Sequence, residues 1–267
     1  MPLRNLLRKF PSAYYFLHIN KTGGSSLNHI FRGIFPRSLI CPAGLANDLA
    51  AIPLSRLSSY KYYSGHFGLS LPLMLPWIKR VRLRTFTVLR DPVNRSLSQL
   101  NAYFRTKQST YCSDFVRSVE CDVEKCLQND RIVAALSNYQ SKSLAVPIRL
   151  VQLSSIRQYG LSFQELLAQE SRNFTEEELF ERAVRSIQGF CFVGLTEKMD
   201  ESYNRLCNII SLPPLDSVPK VNVSAVNPLT GLSYSLSRVD VSASVVRKLQ
   251  EINKIDMKLY DRVVGNW

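Results

Sequence analysis

The apolar positions of the chain alternate between short strand-like runs and longer helix-like periods. Residues 14–19 form an aromatic and β-branched run that is typical of a buried strand. Leu27, Ile30, Phe31 and Ile34 then recur at the spacing of one helix face. The chain is therefore predicted to begin its fold with a strand, a glycine-bearing turn and a helix.

The same alternation continues along the rest of the chain. Further strands are predicted at 60–63, 83–89 and 190–195, and helical patterns at 92–104, 130–145, 174–187, 199–210 and 245–259. Loops are predicted at 36–59 and 213–235, and the polar segment 107–130 reads as a variable insertion. Strands that alternate with helices predict an α/β fold with a mainly parallel central sheet, flanked by helices on both faces. Because no repeat or long linker divides the pattern, we expect a single domain over residues 1–267.

The positive charge of the chain lies in its first two-fifths. The formal net charge is +13, yet residues 1–110 hold 16 Lys and Arg against two acidic residues, Asp48 and Asp91. The 45% hydrophobic and 21% charged composition is globular, which excludes disorder, collagen and coiled coil. A field of one sign favours an anionic partner, such as nucleic acid, an acidic membrane, a phosphate-rich cofactor or an acidic polysaccharide.

Cysteine usage and hydropathy bear on the compartment. Six cysteines are too few for a disulfide scaffold in a chain of this length, although one disulfide within the cluster Cys112, Cys121 and Cys126 is open in an oxidising compartment. The histidines lie far from this cluster, so no metal site is expected. No apolar run reaches the length of a membrane span. The sequence therefore predicts a cytoplasmic protein, with the Golgi lumen or a membrane-associated location as the alternative if an anchor lies outside it.

Two segments at strand ends carry residues suited to anions. Residues 20–26, Asn-Lys-Thr-Gly-Gly-Ser-Ser, join the first strand to a helix, where backbone N–H groups and the helix N-terminus attract phosphate. The lysine precedes the glycines, so the segment is not a Walker A loop. Residues 90–98 again join a strand to a helix, and they offer the guanidinium of Arg90 and the hydroxyl of Ser98.

These two segments resemble the motifs of carbohydrate sulfotransferases. Residues 18–26 resemble the 5′-phosphosulfate loop of that family, and residues 89–98 resemble its 3′-phosphate motif, including the spacing from Arg90 to Ser98. Weaker matches follow in the family's order at 64–67, 138–140 and 192–197. The resemblance is greatest to the branch of heparan sulfate 2-O- and related uronyl sulfotransferases. One departure is Asn20, where the family commonly has proline.

The resemblance implies a P-loop-like sulfotransferase fold and a reaction. The reaction transfers a sulfuryl group from 3′-phosphoadenosine 5′-phosphosulfate (PAPS) to a hydroxyl of a carbohydrate, which leaves the product nucleotide PAP and requires no metal. The implied catalytic residues are Lys21, which neutralises charge on the leaving phosphate, and His66, which ends a predicted strand and has an unperturbed pKa near neutrality. The implied cofactor-binding residues are Lys21, Thr22, Gly23, Gly24, Ser25 and Ser26 for the 5′-phosphate, Arg90 and Ser98 for the 3′-phosphate, and a late loop with Lys220, Asn222 and Ser224.

Other interpretations of the sequence stay open. A P-loop kinase would need the missing GxxxxG and an acidic residue for magnesium, yet only Asp48 lies before residue 90. A non-catalytic protein that binds an anionic polysaccharide or a nucleotide would explain the charge. Because the two phosphate motifs follow one another in the family's order, nucleic acid is a weaker prediction for the anionic partner than a phosphate-rich cofactor. The basic run 79–84 either contacts an acidic acceptor or is a solvated strand edge.

Overall fold

The fold is built on a sheet of parallel strands. The computed structural model describes residues 12–149, 151–153, 162–212, 216–219 and 240–267. Within them, four strands form one sheet in the order β2-β1-β3-β4: β1 (Ala13–Leu17), β2 (Tyr62–Gly65), β3 (Leu83–Leu89) and β4 (Phe192–Leu195). All three pairings are parallel. The predicted α/β class with a parallel sheet is therefore confirmed.

Helices follow each strand, as parallel pairing requires of its crossover connections. The described helices are α1 (Gly24–Ile34), α2 (Ala46–Ala50), α3 (Leu54–Leu57), α4 (Ser70–Met74), α5 (Trp77–Arg80), α6 (Pro92–Arg105), α7 (Tyr111–Ser118), α8 (Val123–Cys126), α9 (Asp130–Leu136), α10 (Tyr139–Ala145), α11 (Phe163–Glu170), α12 (Glu176–Gln188), α13 (Met199–Ile210), α14 (Ala243–Ile252) and α15 (Lys254–Gly265). Pro92 stands in the first turn of α6, where proline is tolerated because its missing N–H has no intrahelical partner.

The sheet is buried on both faces because β1 presents apolar side chains to each. Tyr15 and Leu17 point into one hydrophobic cluster, which also contains residues of α10, α12 and α15. Tyr14 and Phe16 point into a second cluster on the opposite face, with residues of α1 and α13. This alternation along an entirely apolar strand places helices on both sides of the sheet.

The segment 107–130 is more ordered than the sequence predicted. It contains α7 and α8, which begin at the capping side chains of Thr110 and Asp122. Apolar residues of both helices, among them Cys112 and Val116, pack with α6 in a third hydrophobic cluster. The segment therefore extends the packing around α6. All six cysteines are free thiols, so the disulfide left open by the sequence is not formed.

Two further differences from the sequence prediction have local causes. Residues 36–59, predicted as a loop, contain a 3₁₀ turn (Arg37–Leu39) and the short helices α2 and α3. The predicted C-terminal helix is divided at Asn253, which is fully buried. Its side chain donates to the Leu249 carbonyl and accepts from the Asn138 N–H, so it takes part in tertiary bonds at the break.

Candidate functional site

The predicted site residues meet at the carboxyl edge of the sheet. The register pairs Leu17 with Gly65 and with Thr87, and Leu89 with Leu195, so all four strands end side by side. The segments that leave these ends carry the phosphate-loop residues, His66, Arg90 and Thr196. Ligands of open α/β sheets bind at this edge, and β1 is the point where the strand order reverses.

The loop after β1 is shaped to receive an anion. Lys21 and Gly23 have positive φ angles of 71° and 75°, and Thr22 between them does not. When residues of left-handed and right-handed backbone conformation alternate, successive N–H groups point into the same concave pocket. Gly23 is the N-cap of α1 and has no side chain to cap it, so the N–H groups of Gly24 and Ser25 stay available to an incoming acceptor, whereas that of Ser26 donates to the Gly23 carbonyl.

Bonds from neighbouring segments hold this loop in place. The Thr22 hydroxyl donates to the Ile19 carbonyl at 3.0 Å. The Thr196 hydroxyl, directly after β4, lies 2.7 Å from the Thr22 carbonyl oxygen and 3.0 Å from that of Leu89. Thr196 thus links the loop to the end of β3. From the sequence, residues 192–197 are only a weak motif match, because the neighbouring residues do not show which backbone carbonyls the Thr196 hydroxyl will contact.

Lys21 stands in a group of cations. Its side chain is largely enclosed, and burial together with Arg105, Arg90 and Arg95 lowers its pKa to about 8. Arg90 donates from Nη1 to the Lys21 carbonyl at 3.1 Å, which brings the two predicted phosphate ligands together. Arg95 is fully buried, and its guanidinium lies 4.9 Å from the ring centroid of Tyr139. Converging cations favour an anion among them.

His66 lies beside the phosphate loop. Its Nδ1 is 2.7 Å from the carbonyl oxygen of His18, and the two imidazole rings are 4.4 Å apart between centroids. A carbonyl only accepts, so the neutral ring carries its proton on Nδ1 and leaves the Nε2 lone pair free. Burial lowers the pKa of His66 to about 4, and the charge of Lys21 acts in the same direction. The ring is therefore neutral at physiological pH and able to take a proton.

His18 and Gly24 form the contact between β1 and α1. The His18 ring stacks on Phe16 at 5.1 Å between centroids. A Cβ on Gly24 would lie 2.3 Å from Cδ2 of His18, so only glycine allows the helix to approach the ring this closely. This packing gives His18 a structural role.

A cleft of about 640 Å³ opens on His66. Asn20 and His66 line it, together with residues of α2, α6 and α9, the segment 108–112 and the start of α11. Its polar lining includes Tyr103, Gln164 and Arg131, and Arg131 pairs with Glu165. Sequence reasoning missed these residues, because they come from helices far apart in the chain and carry no local motif.

The remaining sequence predictions concern Ser98, the basic run 79–84 and the late loop. Ser98 lies in the second turn of α6, partly exposed, and among the described residues it has no hydrogen bond with Arg90. The basic run 79–84 lies at the start of β3, the edge of the sheet opposite the site. Lys79 there donates to the carbonyls of Ser58 and Tyr60, so its ammonium is engaged within the protein. The predicted late loop, with Lys220, Asn222 and Ser224, lies outside the described residues.

The described ranges contain neither a membrane-spanning helix nor a cluster of metal ligands. No helix there has both the length and the apolar character that crossing a bilayer requires. In the same ranges, no three His, Cys, Asp or Glu side chains are grouped so as to hold a metal ion.

Comparison with known proteins identifies a class of relatives. No protein-family model matches the chain. Over 92% of its length, it is 25% identical to heparan-sulfate 6-O-sulfotransferase 2 of Gallus gallus, and over 97% it is 25% identical to heparan-sulfate 6-O-sulfotransferase 1 of Homo sapiens and of Cricetulus griseus. The chain spans 64% of the length of the first relative and 68% and 70% of the other two.

These similarities support a transferase of the carbohydrate sulfotransferase class, and the α/β fold agrees with it. The relatives are 6-O-sulfotransferases, so the 2-O- and uronyl branch expected from the sequence is not confirmed. The predicted cytoplasmic location is wrong, because heparan-sulfate sulfotransferases act in the Golgi. That prediction rested on the absence of an apolar span from the sequence, which is weak evidence about compartment.

Proposed function

We propose that the chain is a PAPS-dependent O-sulfotransferase that acts on a hydroxyl of a heparan-type acidic polysaccharide. The observation that carries the proposal is the meeting, at one edge of the sheet, of an anion-binding loop, Arg90 and a neutral His66 with a free Nε2. The 6-hydroxyl is the proposed position, since the relatives are named for it.

The residues at this edge fit a nucleotide with two separate phosphates. The N–H groups of residues 22–25 suit the 5′-phosphate, and the largely enclosed charge of Lys21 lies beside them. Arg90 and Ser98 are proposed for the 3′-phosphate, and the late loop with Lys220, Asn222 and Ser224 remains a proposed contact. When bound, PAPS supplies the sulfuryl group. The group of cations around Lys21 is what favours so highly charged a ligand.

Two side chains, His66 and Lys21, have catalytic roles in the proposed reaction. His66 accepts the proton of the acceptor hydroxyl at Nε2 as that oxygen forms its bond to sulfur, while Nδ1 keeps its bond to His18. The Lys21 ammonium balances the negative charge that remains on the 5′-phosphate side when the sulfur–oxygen bond breaks. The partial burial of both groups strengthens these electrostatic interactions.

The cleft beside His66 is the proposed acceptor site. Its walls are rich in amides and hydroxyls, which suit the hydroxyl groups of a sugar. Arg131 lies on its wall, half-exposed, with its guanidinium 3.9 Å from the ring centroid of Tyr111. A guanidinium held in this way is suited to a carboxylate or sulfate group of the acceptor.

Calorimetric titration with PAP, and separately with ATP and Mg²⁺, tests the nucleotide. Labelled PAPS offered to desulfated heparan chains, neutral glycans and phenols then tests the acceptor. Tight PAP binding and transfer to the heparan chains is the expected result. Binding of ATP–Mg²⁺ without binding of PAP would favour a kinase, and PAP binding without transfer to any acceptor would favour a non-catalytic nucleotide-binding protein.

A further inference from the structure

Gln140 makes a reciprocal pair of hydrogen bonds with the backbone of Arg90. The Arg90 N–H donates to Oε1 of Gln140 at 2.9 Å, and Nε2 of Gln140 donates to the Arg90 carbonyl at 2.9 Å. The Gln140 side chain is buried. The two residues are 50 positions apart in the chain, so this contact is a product of the tertiary fold.

This pair of hydrogen bonds holds the backbone of Arg90, the cationic residue of the connection between β3 and α6. Leu89 is the last residue of β3 paired with β4, and α6 begins at Pro92. At Arg90 the sheet no longer holds the backbone, and the amide of Gln140 takes over both of its polar groups. Gln140 thus holds the backbone from which the Arg90 side chain reaches the Lys21 carbonyl.

Gln140 is itself held by a separate helix. It lies in the first turn of α10, and its N–H donates to Asp256 of α15 at 3.0 Å. The other carboxylate oxygen of Asp256 accepts from the Ser141 N–H at 2.6 Å. Asp256 is buried, and a carboxylate at a helix N-terminus is favoured by the dipole as well as by the hydrogen bonds.

The backbone before α10 completes this arrangement. Asn138 has a left-handed backbone, with a φ of 48°, and its side-chain oxygen accepts from the N–H groups of Ile255 and Asp256. The start of α10 and the start of α15 thus cap each other. Gln140 is anchored on a rigid junction rather than on a loop, which is what precise positioning of a neighbour requires.

We propose that Gln140 is a positioning residue that aims Arg90 at the 3′-phosphate of the nucleotide. The inference rests on the proposed function, in which Arg90 binds that phosphate. An amide suits the task because it presents a donor and an acceptor in one plane, and the backbone of Arg90 needs both. Glutamate offers only the acceptor, and leucine offers neither.

The test compares two nucleotides that differ by the 3′-phosphate, PAP and adenosine 5′-monophosphate, by calorimetry. We expect Gln140→Leu to weaken PAP binding about tenfold, close to the sum of two ordinary hydrogen bonds, and to leave binding of adenosine 5′-monophosphate unchanged. Gln140→Glu, which keeps the bond to the Arg90 N–H, is expected to give a smaller loss. This variant also serves if the leucine variant fails to fold, and thermal melting checks both.

A double-mutant cycle separates positioning from general damage. In an Arg90→Ala background, Gln140→Leu is expected to cause no further loss of PAP affinity, because the side chain that it positions is gone. Equal losses for both nucleotides, or a full additional loss in that background, would overturn the inference. If the unaltered protein binds PAP no more tightly than adenosine 5′-monophosphate, the proposed function itself is wrong. If it prefers PAP and Gln140→Leu keeps the whole preference, only the positioning role fails.

Discussion

His66 donates its Nδ1 proton to the carbonyl oxygen of His18, 2.7 Å away. His18 directly follows β1 and precedes the phosphate loop, so the segment that forms the anion site also orients the imidazole. The bond selects the tautomer in which Nε2 is a free acceptor. His66 also lines the cleft. The loop after β1 and the cleft therefore adjoin the same imidazole ring, that of His66.

Replacing His66 tests its role as the general base. We expect His66→Gln to lower kcat by about 10²- to 10⁴-fold, the range that a positioned proton acceptor contributes. Its PAP affinity is expected to stay within about twofold of the unaltered protein, because His66 has no proposed contact with the phosphates. His29→Gln is the matched control, since His29 is exposed on α1. A variant that keeps its full turnover would exclude His66 as the base.

The pH dependence of the reaction follows from the pKa of His66. Burial lowers that pKa from 6.5 to about 4, so the imidazole stays in its neutral, proton-accepting form down to acidic pH. Turnover attributable to this group is therefore expected to be constant as the pH falls through 6.5 and to drop only near pH 4 to 5. The pH dependence of kcat/KM, which reports the pKa of the free protein, measures this profile. A drop centred at pH 6.5 would show a solvated histidine and contradict the geometry.

Glycine at position 24 is required by the close approach of α1 to His18. An added Cβ would lie 2.3 Å from Cδ2 of that ring and 2.7 Å from Phe16 Cζ. Gly24→Ala is expected to destabilise the fold by about 1–3 kcal/mol, the usual cost of overpacking, and to weaken PAP binding by displacing the loop. Urea denaturation and calorimetry measure the two effects.

Gly33→Ala is the matched control for this substitution. Gly33 lies near the end of the same helix, exposed, with nothing within 4 Å of an added Cβ. Alanine in a helix interior is about 0.5–1 kcal/mol more favourable than glycine, so this variant is expected to be more stable and to bind PAP normally. Equal destabilisation by both substitutions would mean that the contact with His18 is not the cause.

The strands were predictable from sequence because each is a short apolar run that ends in a turn signal. Leu83–Leu89 was predicted with its observed bounds, and the pairing of Lys21 with the glycines marked the anion loop. The cleft was not predictable, since its walls join Tyr103, Arg131 and Gln164 from three separate helices. Tertiary contacts of this kind leave no periodicity or motif in the chain. The short helix α7 was missed because its cap, Thr110, stands among other polar residues.

Nucleotide binding is expected to take up a proton at Lys21. The pKa of this lysine is lowered to about 8, mainly by burial, so about half of the molecules carry it neutral at pH 8. Phosphate charges beside the amine favour the ammonium form and raise its pKa. PAP binding at pH 8 is thus expected to take up roughly half a proton, and at pH 6.5 almost none. Calorimetry in two buffers with different ionisation enthalpies measures the uptake.

Lys21→Arg is the control for this proton uptake. Arginine keeps its charge at pH 8, so binding to this variant is expected to proceed with no uptake at that position. If the variant takes up as many protons as the unaltered protein, the titrating group is not Lys21.

Arg131 and Arg82 allow the position of the acceptor to be tested with two substitutions of the same type. Arg131 lines the cleft that opens on His66, whereas Arg82 is exposed before β3 at the opposite edge of the sheet. We expect Arg131→Ala to raise the KM for a heparan-type acceptor about tenfold, as the loss of one charge-assisted hydrogen bond would. PAP affinity is expected to be unchanged, and Arg82→Ala is expected to leave both quantities unchanged. The reverse result, a raised KM in Arg82→Ala alone, would place the polysaccharide on the basic run 79–84 and away from the cleft.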